Sequence, residues 1–283
     1  MAVSGTTTDR GEQDTWTHQT PITLSGSGEA MFHIGVLAPR LAGAADLLRR
    51  IDDAGTALGP DRQRPELSLV WQPLEGRWDA WQRNDPDTTR TQLALGCVRL
   101  RQSGAHFFVC PDDTAYALLD GPGVELALPG LHAAAVVAAA AQRQGFARIG
   151  VLGTRWTLDA HRYSAELQPM GLSAASLPLW DQTTLHSIIF DELVRGRFSM
   201  DSRDRVLALV EDLQREGCQA VVVGCPELSE LVTPASSPLP LLDTTRLLAE
   251  AAVAVASGAA PLPTWRGGPD EGTVADPWAR SAG

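Results

Sequence analysis

The chain has 283 residues, 44% hydrophobic and 20% charged, the profile of an ordinary globular protein with a sizeable core. Its formal net charge of −11 argues against nucleic acid and against an anionic membrane face, because both need basic surface. Its 23 basic residues other than histidine are all arginine, which excludes Schiff-base lysine chemistry, ordinary pyridoxal-phosphate catalysis and a lysine-bearing phosphate loop.

Residues 1–30 are rich in Ser, Thr, Gly and charge without apolar periodicity, and are expected to form a disordered tail. They lack the basic start and apolar core of a signal peptide. No apolar run reaches spanning length, so a cytoplasmic location is expected. The folded body is expected over 31–262, with a second disordered tail over 263–283. Along the body the pattern predicts a strand at His33–Leu37, a helix at Ala44–Ala57, a strand at Leu67–Trp71 and a helix at Thr88–Ser103. A strand follows at Phe107–Cys110, then a helix over Thr114–Leu119, a strand at Val124–Leu128 and a helix over His132–Gln144. The second half opens with a strand at Arg148–Leu152 and a helix from about Leu158, then an extended segment over Ala174–Leu179. It continues with a helix at Ser202–Glu216, a strand at Ala220–Val223 and a helical turn at Glu227–Leu231. It ends with a short strand at Leu239–Leu242 and a helix at Thr244–Ser257. Continuous apolar strands alternating with helices predict an α/β fold with mainly parallel sheets covered on both faces. Ligands of such sheets bind beyond the carboxyl ends of the strands.

One pattern is written twice. Gly104 leads through an apolar strand to Asp112, and Gly217 leads through another to Cys225, at the same spacing. Each copy lies a similar distance after an Ile-Gly-Val-Leu strand, Ile34–Leu37 and Ile149–Leu152. A duplicated α/β unit of this kind can flank one carbon atom with an acid/base group from each half.

The two copies deliver different chemistry. Cys225, at a strand end and close to a helix start, is a candidate thiolate that exchanges a proton with carbon; the plain alternative is a buried structural thiol. Asp112 holds the matching place in the first copy and is the second acid/base candidate, with Asp113 the expected N-cap of the next helix. Gly153-Thr154-Arg155-Trp156-Thr157 offers hydroxyls and backbone N–H groups to a carboxylate, or else a helix cap. Arg246 is either a carboxylate clamp or a surface arginine. Tyr116 and His132 are read as packing groups or as supports standing behind the site residues. The four cysteines, Cys97, Cys110, Cys218 and Cys225, form no CxxC pair and the histidines are scattered, so free thiols and no metal site are expected.

These residues carry a resemblance to the cofactor-independent aspartate/glutamate racemase family. Gly224-Cys225-Pro226-Glu227-Leu228 is similar to the family's Gly-Cys-Thr-Glu-Leu signature, and Pro111-Asp112-Asp113-Thr114-Ala115-Tyr116 to its Pro-Cys-Asn-Thr-Ala-His motif. Gly153-Thr154 with Thr157 and Tyr163, Ile188–Leu193, and Asp243–Arg246 match in order and spacing. The resemblance implies two pseudo-symmetric lobes with the active site in the cleft between them, lobe 1 over about 31–130 plus 240–262 and lobe 2 over about 131–239. It implies a small carboxylate substrate held by Asp113, Thr114, Thr154, Thr157, Gly224, Pro226 and Glu227, no cofactor, and a homodimer. Proton transfer at the carbon α to the carboxylate would run between Asp112 and Cys225. The chain departs from the pattern where the first cysteine is Asp112, its neighbouring asparagine Asp113, the histidine Tyr116, and the threonine after the second cysteine Pro226. A symmetric two-thiol reaction is therefore unavailable, and a dianion such as aspartate fits a site with added negative charge less well. The alternatives are a lyase resembling arylmalonate decarboxylases that uses Cys225 alone, and a non-catalytic or recruited relative.

Overall fold

The computed structural model describes residues 31–73, 86–121, 123, 125–159 and 162–266. In chain order the elements begin with β1 (Ile34–Ala38), α1 (Leu41–Ala57), β2 (Leu67–Trp71), α2 (Pro86–Gln102), β3 (Phe107–Val109), α3 (Asp113–Leu119) and α4 (Ala133–Arg143). The second half holds β4 (Arg148–Leu152), α5 (Arg155–Asp159), α6 (Arg162–Leu167), β5 (Ser173–Ala175) and α7 (Leu179–Ser187). A π-helical stretch, Ile188–Glu192, then leads to α8 (Met200–Arg215), β6 (Ala220–Val223), α9 (Leu228–Leu231), β7 (Leu241–Asp243) and α10 (Thr244–Ala256).

The strands form two sheets, ordered β2-β1-β3 and β5-β4-β6-β7, with every pairing parallel. Each Ile-Gly-Val-Leu strand sits between the two strands that follow it in its own half. The repeat holds in register as well: Ile34 pairs with Phe107, and Ile149 with Ala220. Both partners lie three residues after the leading glycine of their copy. Those glycines, Gly104 and Gly217, have φ of +92° and +85°, a left-handed turn that a side chain would strain. Asp112 and Cys225 consequently leave their sheets at equivalent points.

Burial follows side-chain period. In β6, Val221 and Val223 pack with Val206, Leu209 and Leu213 of α8 on one face, while Ala220 and Val222 pack with Val137 and Ala141 of α4 on the other. A strand covered on both faces needs this uninterrupted apolar run. In α1, Ala44, Leu47 and Ile51 are buried, the i, i+3, i+7 stripe of an amphipathic helix.

Three expectations are corrected. Residues 125–128 form no strand; the pairing beside β3 falls at Gly130, where Phe108 N–H donates to Pro129 O and Leu131 N–H to Phe108 O. Leu126 and Leu128 are buried in the first core without joining the ladder. The ordered body also runs past Leu262. Trp265 bridges to Gly130, and its ring lies tilted at 4.9 Å from that of His132 and 5.5 Å from that of Tyr116. The segment 240–262 is not all in the first lobe: β7 pairs with β6 in the second sheet, whereas α10 buries Leu248, Ala249 and Ala252 in the first core. The tail expected over 1–30, and residues 267–283 of the tail expected over 263–283, lie outside the described residues.

Candidate active site

The first motif turns at the end of β3. Asp112 has extended dihedrals, φ −152° and ψ 102°, and is the N-cap of α3. Its Oδ1 accepts from Thr114 N–H at 2.9 Å and Ala115 N–H at 3.1 Å. The expectation that Asp113 would cap is therefore corrected by one position. Capping requires non-helical backbone so that the side chain can fold over the first turn, and Asp113 is already inside the helix. Its carboxylate instead faces the second lobe and accepts the Tyr163 hydroxyl at 2.5 Å.

The second motif turns at the end of β6. Gly224 is needed for closure: a Cβ there would lie 2.5 Å from Asp113 Oδ2 and 3.0 Å from Leu152 O. Cys225 is buried, and its thiol donates to Glu227 Oε2 at 2.9 Å. Burial pushes the thiol up to about 11, with Asp112 and Asp113 adding to the rise; Arg40 and the Leu228 backbone N–H act in the opposite sense. The expected stabilisation of a thiolate by the following helix is thus outweighed. That helix, α9, is a single turn, and desolvation disfavours the charged form.

The threonines form a buried chain between the lobes. Thr114 and Thr154 hydroxyls lie 3.2 Å apart, Thr154 and Thr157 likewise, and Thr154 Oγ1 accepts from Thr157 N–H at 3.3 Å. Thr154 therefore caps the start of α5 and also reaches the first motif. Thr114 and Thr154 line the cleft; Thr157 stands behind Thr154 and Glu227 behind Cys225. Arg246 is a surface arginine paired with Glu250 at 2.8 Å. Tyr116 is fully buried and donates to Leu131 O at 2.6 Å, a packing role.

Two contributions had no role assigned from the sequence, although Ile188–Leu193 matches the family in order and spacing. Arg40 follows β1 as the N-cap of α1, with no side-chain cap bond of its own. Its guanidinium pairs closely with Glu227 Oε1 and lies 3.9 Å from Asp112 Oδ2, with all three side chains about nine-tenths buried. Its only signal was its place just beyond a strand's carboxyl end. Ile189 and Phe190, on the π-helical stretch, close the cleft opposite Gly224, Cys225 and Pro226. Single π turns recur at functional sites. The enclosed space is about 10 Å³, room for about one water, so this is a closed arrangement.

Asp112, Asp113, Thr114, Thr154, Gly224, Cys225 and Pro226 thus meet at one cleft, joined by Arg40. Among the described residues, no cluster of metal-ligating side chains accompanies them.

The fold is shared with known proteins. The family model described as Asp/Glu/hydantoin racemase matches residues 34–252. A Yersinia pestis protein described as a candidate Asp/Glu racemase superposes with a TM-score of 0.70 at 26% identity, over 80% of this chain and 99% of that one. An aspartate racemase homologue from Pyrococcus horikoshii superposes at 0.65 with 18% identity, over 80% of this chain and 100% of its own. A glutamate racemase from Bacillus anthracis gives 0.57 with 16% identity, covering 83% and 85%. At these last two identities the likeness is one of fold.

Proposed function

The chain belongs to the Asp/Glu/hydantoin racemase family, and on that premise we propose that it racemises or epimerises a small amino-acid-like carboxylate by proton transfer between Asp112 and Cys225. The observation that carries this reading is the matched register of the two motif copies, which brings one proton-transfer group from each half to a shared cleft. The substrate carboxylate would take hydroxyl donors from Thr114 and Thr154. Asp112 removes the α-proton from one face, and the electron pair moves into the carboxylate as an enediolate. Cys225 then gives its thiol proton to the other face, leaving a protonated Asp112 and a thiolate. The opposite enantiomer starts from that second tautomer and runs the steps backwards. Buried donors stabilise the enediolate because water no longer screens them. No cofactor is required to carry the electrons or the proton.

A second reading draws support from one observation. Asp112 Oδ1 is committed to two backbone N–H groups, while Cys225 is held in its proton-bearing form. That arrangement suits one-sided protonation, as in a decarboxylase that loses carbon dioxide and protonates the enediolate at Cys225.

The test is proton NMR in deuterium oxide with amino, hydroxy, hydantoin and malonate acids, with the products resolved by chiral chromatography, beside Cys225→Ser. Loss of the α-proton signal with appearance of the other enantiomer supports racemisation. Carbon dioxide release with a single product enantiomer supports the second reading. Undiminished turnover in Cys225→Ser removes that residue from either. We further propose a cytoplasmic homodimer, in keeping with four free cysteines and with no helix among the described residues long and apolar enough to cross a membrane; light scattering on the purified chain reads the oligomeric state.

A further inference from the structure

Arg40 lies outside both motif copies yet touches both. It is the cation of the cleft lining, and that lining otherwise carries the carboxylates of Asp112 and Asp113. One guanidinium nitrogen pairs with Glu227 Oε1, while the other oxygen of the same carboxylate accepts the Cys225 thiol at 2.9 Å. Its Nε faces Asp112 Oδ2 at 3.9 Å.

We propose that Arg40 is a positioning residue for proton transfer at Cys225, fixing the Glu227 carboxylate so that one oxygen stays aimed at the thiol while the guanidinium offsets the charge on both proton-transfer groups. The proposal rests on the function argued above and adds to it a residue that neither motif contains.

The physical argument has three parts. A guanidinium bound to one carboxylate oxygen sets the plane of that carboxylate, because both groups are flat and the contact is directional. The remaining oxygen then has a defined direction, and here that direction is Cys225 Sγ. Second, a buried carboxylate without a cation would be costly, so Glu227 depends on Arg40 to be present as an anionic acceptor. Third, donation by Cys225 leaves a thiolate close to Asp112 and Asp113. The thiolate is reached only if a nearby positive charge offsets that repulsion, and Arg40 acts on Cys225 in that sense.

A bare structural ion pair would leave Cys225 unaffected once the fold is kept, and this separates the two roles. The experiment measures the rate at which chloroacetamide alkylates Cys225, read by mass spectrometry of its peptide from pH 8 to 10.5, with Cys218 as internal reference. It is run beside α-proton exchange on the full chain. In Arg40→Met the Cys225 profile is expected to move to higher pH by about one unit, so that alkylation at a given pH slows about tenfold, while Cys218 is unchanged. Exchange is expected to fall at least tenfold, roughly the loss of one charge-assisted hydrogen bond. Arg40→Lys keeps the charge and should restore the Cys225 profile while recovering exchange only in part, since an ammonium lacks the planar fork.

An Arg40→Met protein that folds with an unmoved Cys225 profile overturns the proposal. Should that variant not fold, Arg40→Gln is read by the same criteria. If neither folds and Arg40→Lys equals the wild type in both readouts, Arg40 is a structural ion-pair partner only and the proposal is overturned. Alkylation needs no substrate, so an absence of exchange from every carboxylate counts against the proposed reaction, whereas an unmoved Cys225 profile counts against the role of Arg40.

Discussion

The Cys225 thiol donates to Glu227 Oε2 across 2.9 Å, two residues further along the same turn. This contact and the burial around it decide which form the sulfur takes. Desolvation pushes the thiol up to about 11, so at neutral pH the site holds one proton on sulfur. In the proposed reaction the thiolate belongs to the other tautomer.

The first prediction concerns pH. The form with protonated Cys225 persists as pH rises until the thiol itself titrates. The alkaline fall in kcat/KM is therefore expected near pH 11, well above the limb near 9 of an ordinary thiol. Stability follows the same sign. A thiol raised on folding keeps its full contribution below about pH 9 and loses it as pH climbs through 11. Denaturant midpoints at pH 8, 9, 10 and 11 should fall over the upper part of that range, and less steeply in Cys225→Ser. An activity limb at pH 8–9 would contradict the burial argument.

Asp112 has a structural duty as well as a proposed chemical one, and two substitutions separate them. Asp112→Asn keeps an oxygen for the Thr114 and Ala115 N–H groups, so thermal stability should change little. Interconversion of enantiomers should fall at least about a hundredfold, the scale of a lost general base, while exchange from the Cys225 side can survive. Asp112→Ala removes the cap too and should cost about 1 kcal/mol more in denaturant unfolding. Equal racemisation by Asp112→Asn would reject the assigned role.

The same residue marks the limit of what the sequence carries. The alternation of buried strands and helices was legible because strands covered on both faces must be continuously apolar, and the repeat because glycine, strand and reactive residue keep one spacing. The choice between Asp112 and Asp113 as cap was not legible, since it turns on where α3 begins to within a single residue. Arg40 was hidden among 23 arginines, with only its place just beyond the carboxyl end of β1 to mark it. Ile189 and Phe190 read as well for core as for a cleft wall, and only the three-dimensional arrangement shows that they line the cleft. The segment after Gly121 alternated like a strand, yet the ladder beside β3 was taken by Pro129–Leu131 instead.

Thr154 links α3 and α5 through one hydroxyl, meeting Thr114, Thr157 Oγ1 and Thr157 N–H. Thr154→Val keeps the shape and removes every one of these bonds. A substrate carboxylate held there loses a donor, so KM should rise about tenfold, corresponding to about 1.4 kcal/mol. Thr154→Ser restores the hydroxyl and should recover most of it. Steady-state kinetics on the identified substrate checks both; an unchanged KM in Thr154→Val would place the carboxylate elsewhere.

Gly224 tests whether the two motifs must approach as closely as they do. Its φ is not in the left-handed region, so backbone freedom is not the reason for glycine here. The reason is space: an added methyl would press on Asp113 Oδ2 at 2.5 Å and on Leu152 O at 3.0 Å. Asp113 is held by the Tyr163 hydroxyl and Leu152 O by the Gly224 N–H itself, so neither neighbour moves freely. Gly224→Ala is expected to destabilise the fold by about 1–3 kcal/mol, the usual cost of overpacking, and to lower exchange by parting Cys225 from the first motif. Gly224→Ala combined with Asp113→Ala removes the carboxylate that the methyl strikes, and should regain part of the stability but not the exchange. Denaturant unfolding of the single and double variants gives the coupling directly. Strictly additive losses would show that Gly224 and Asp113 do not press on one another, and that the cleft has more room between its motifs than the geometry allows.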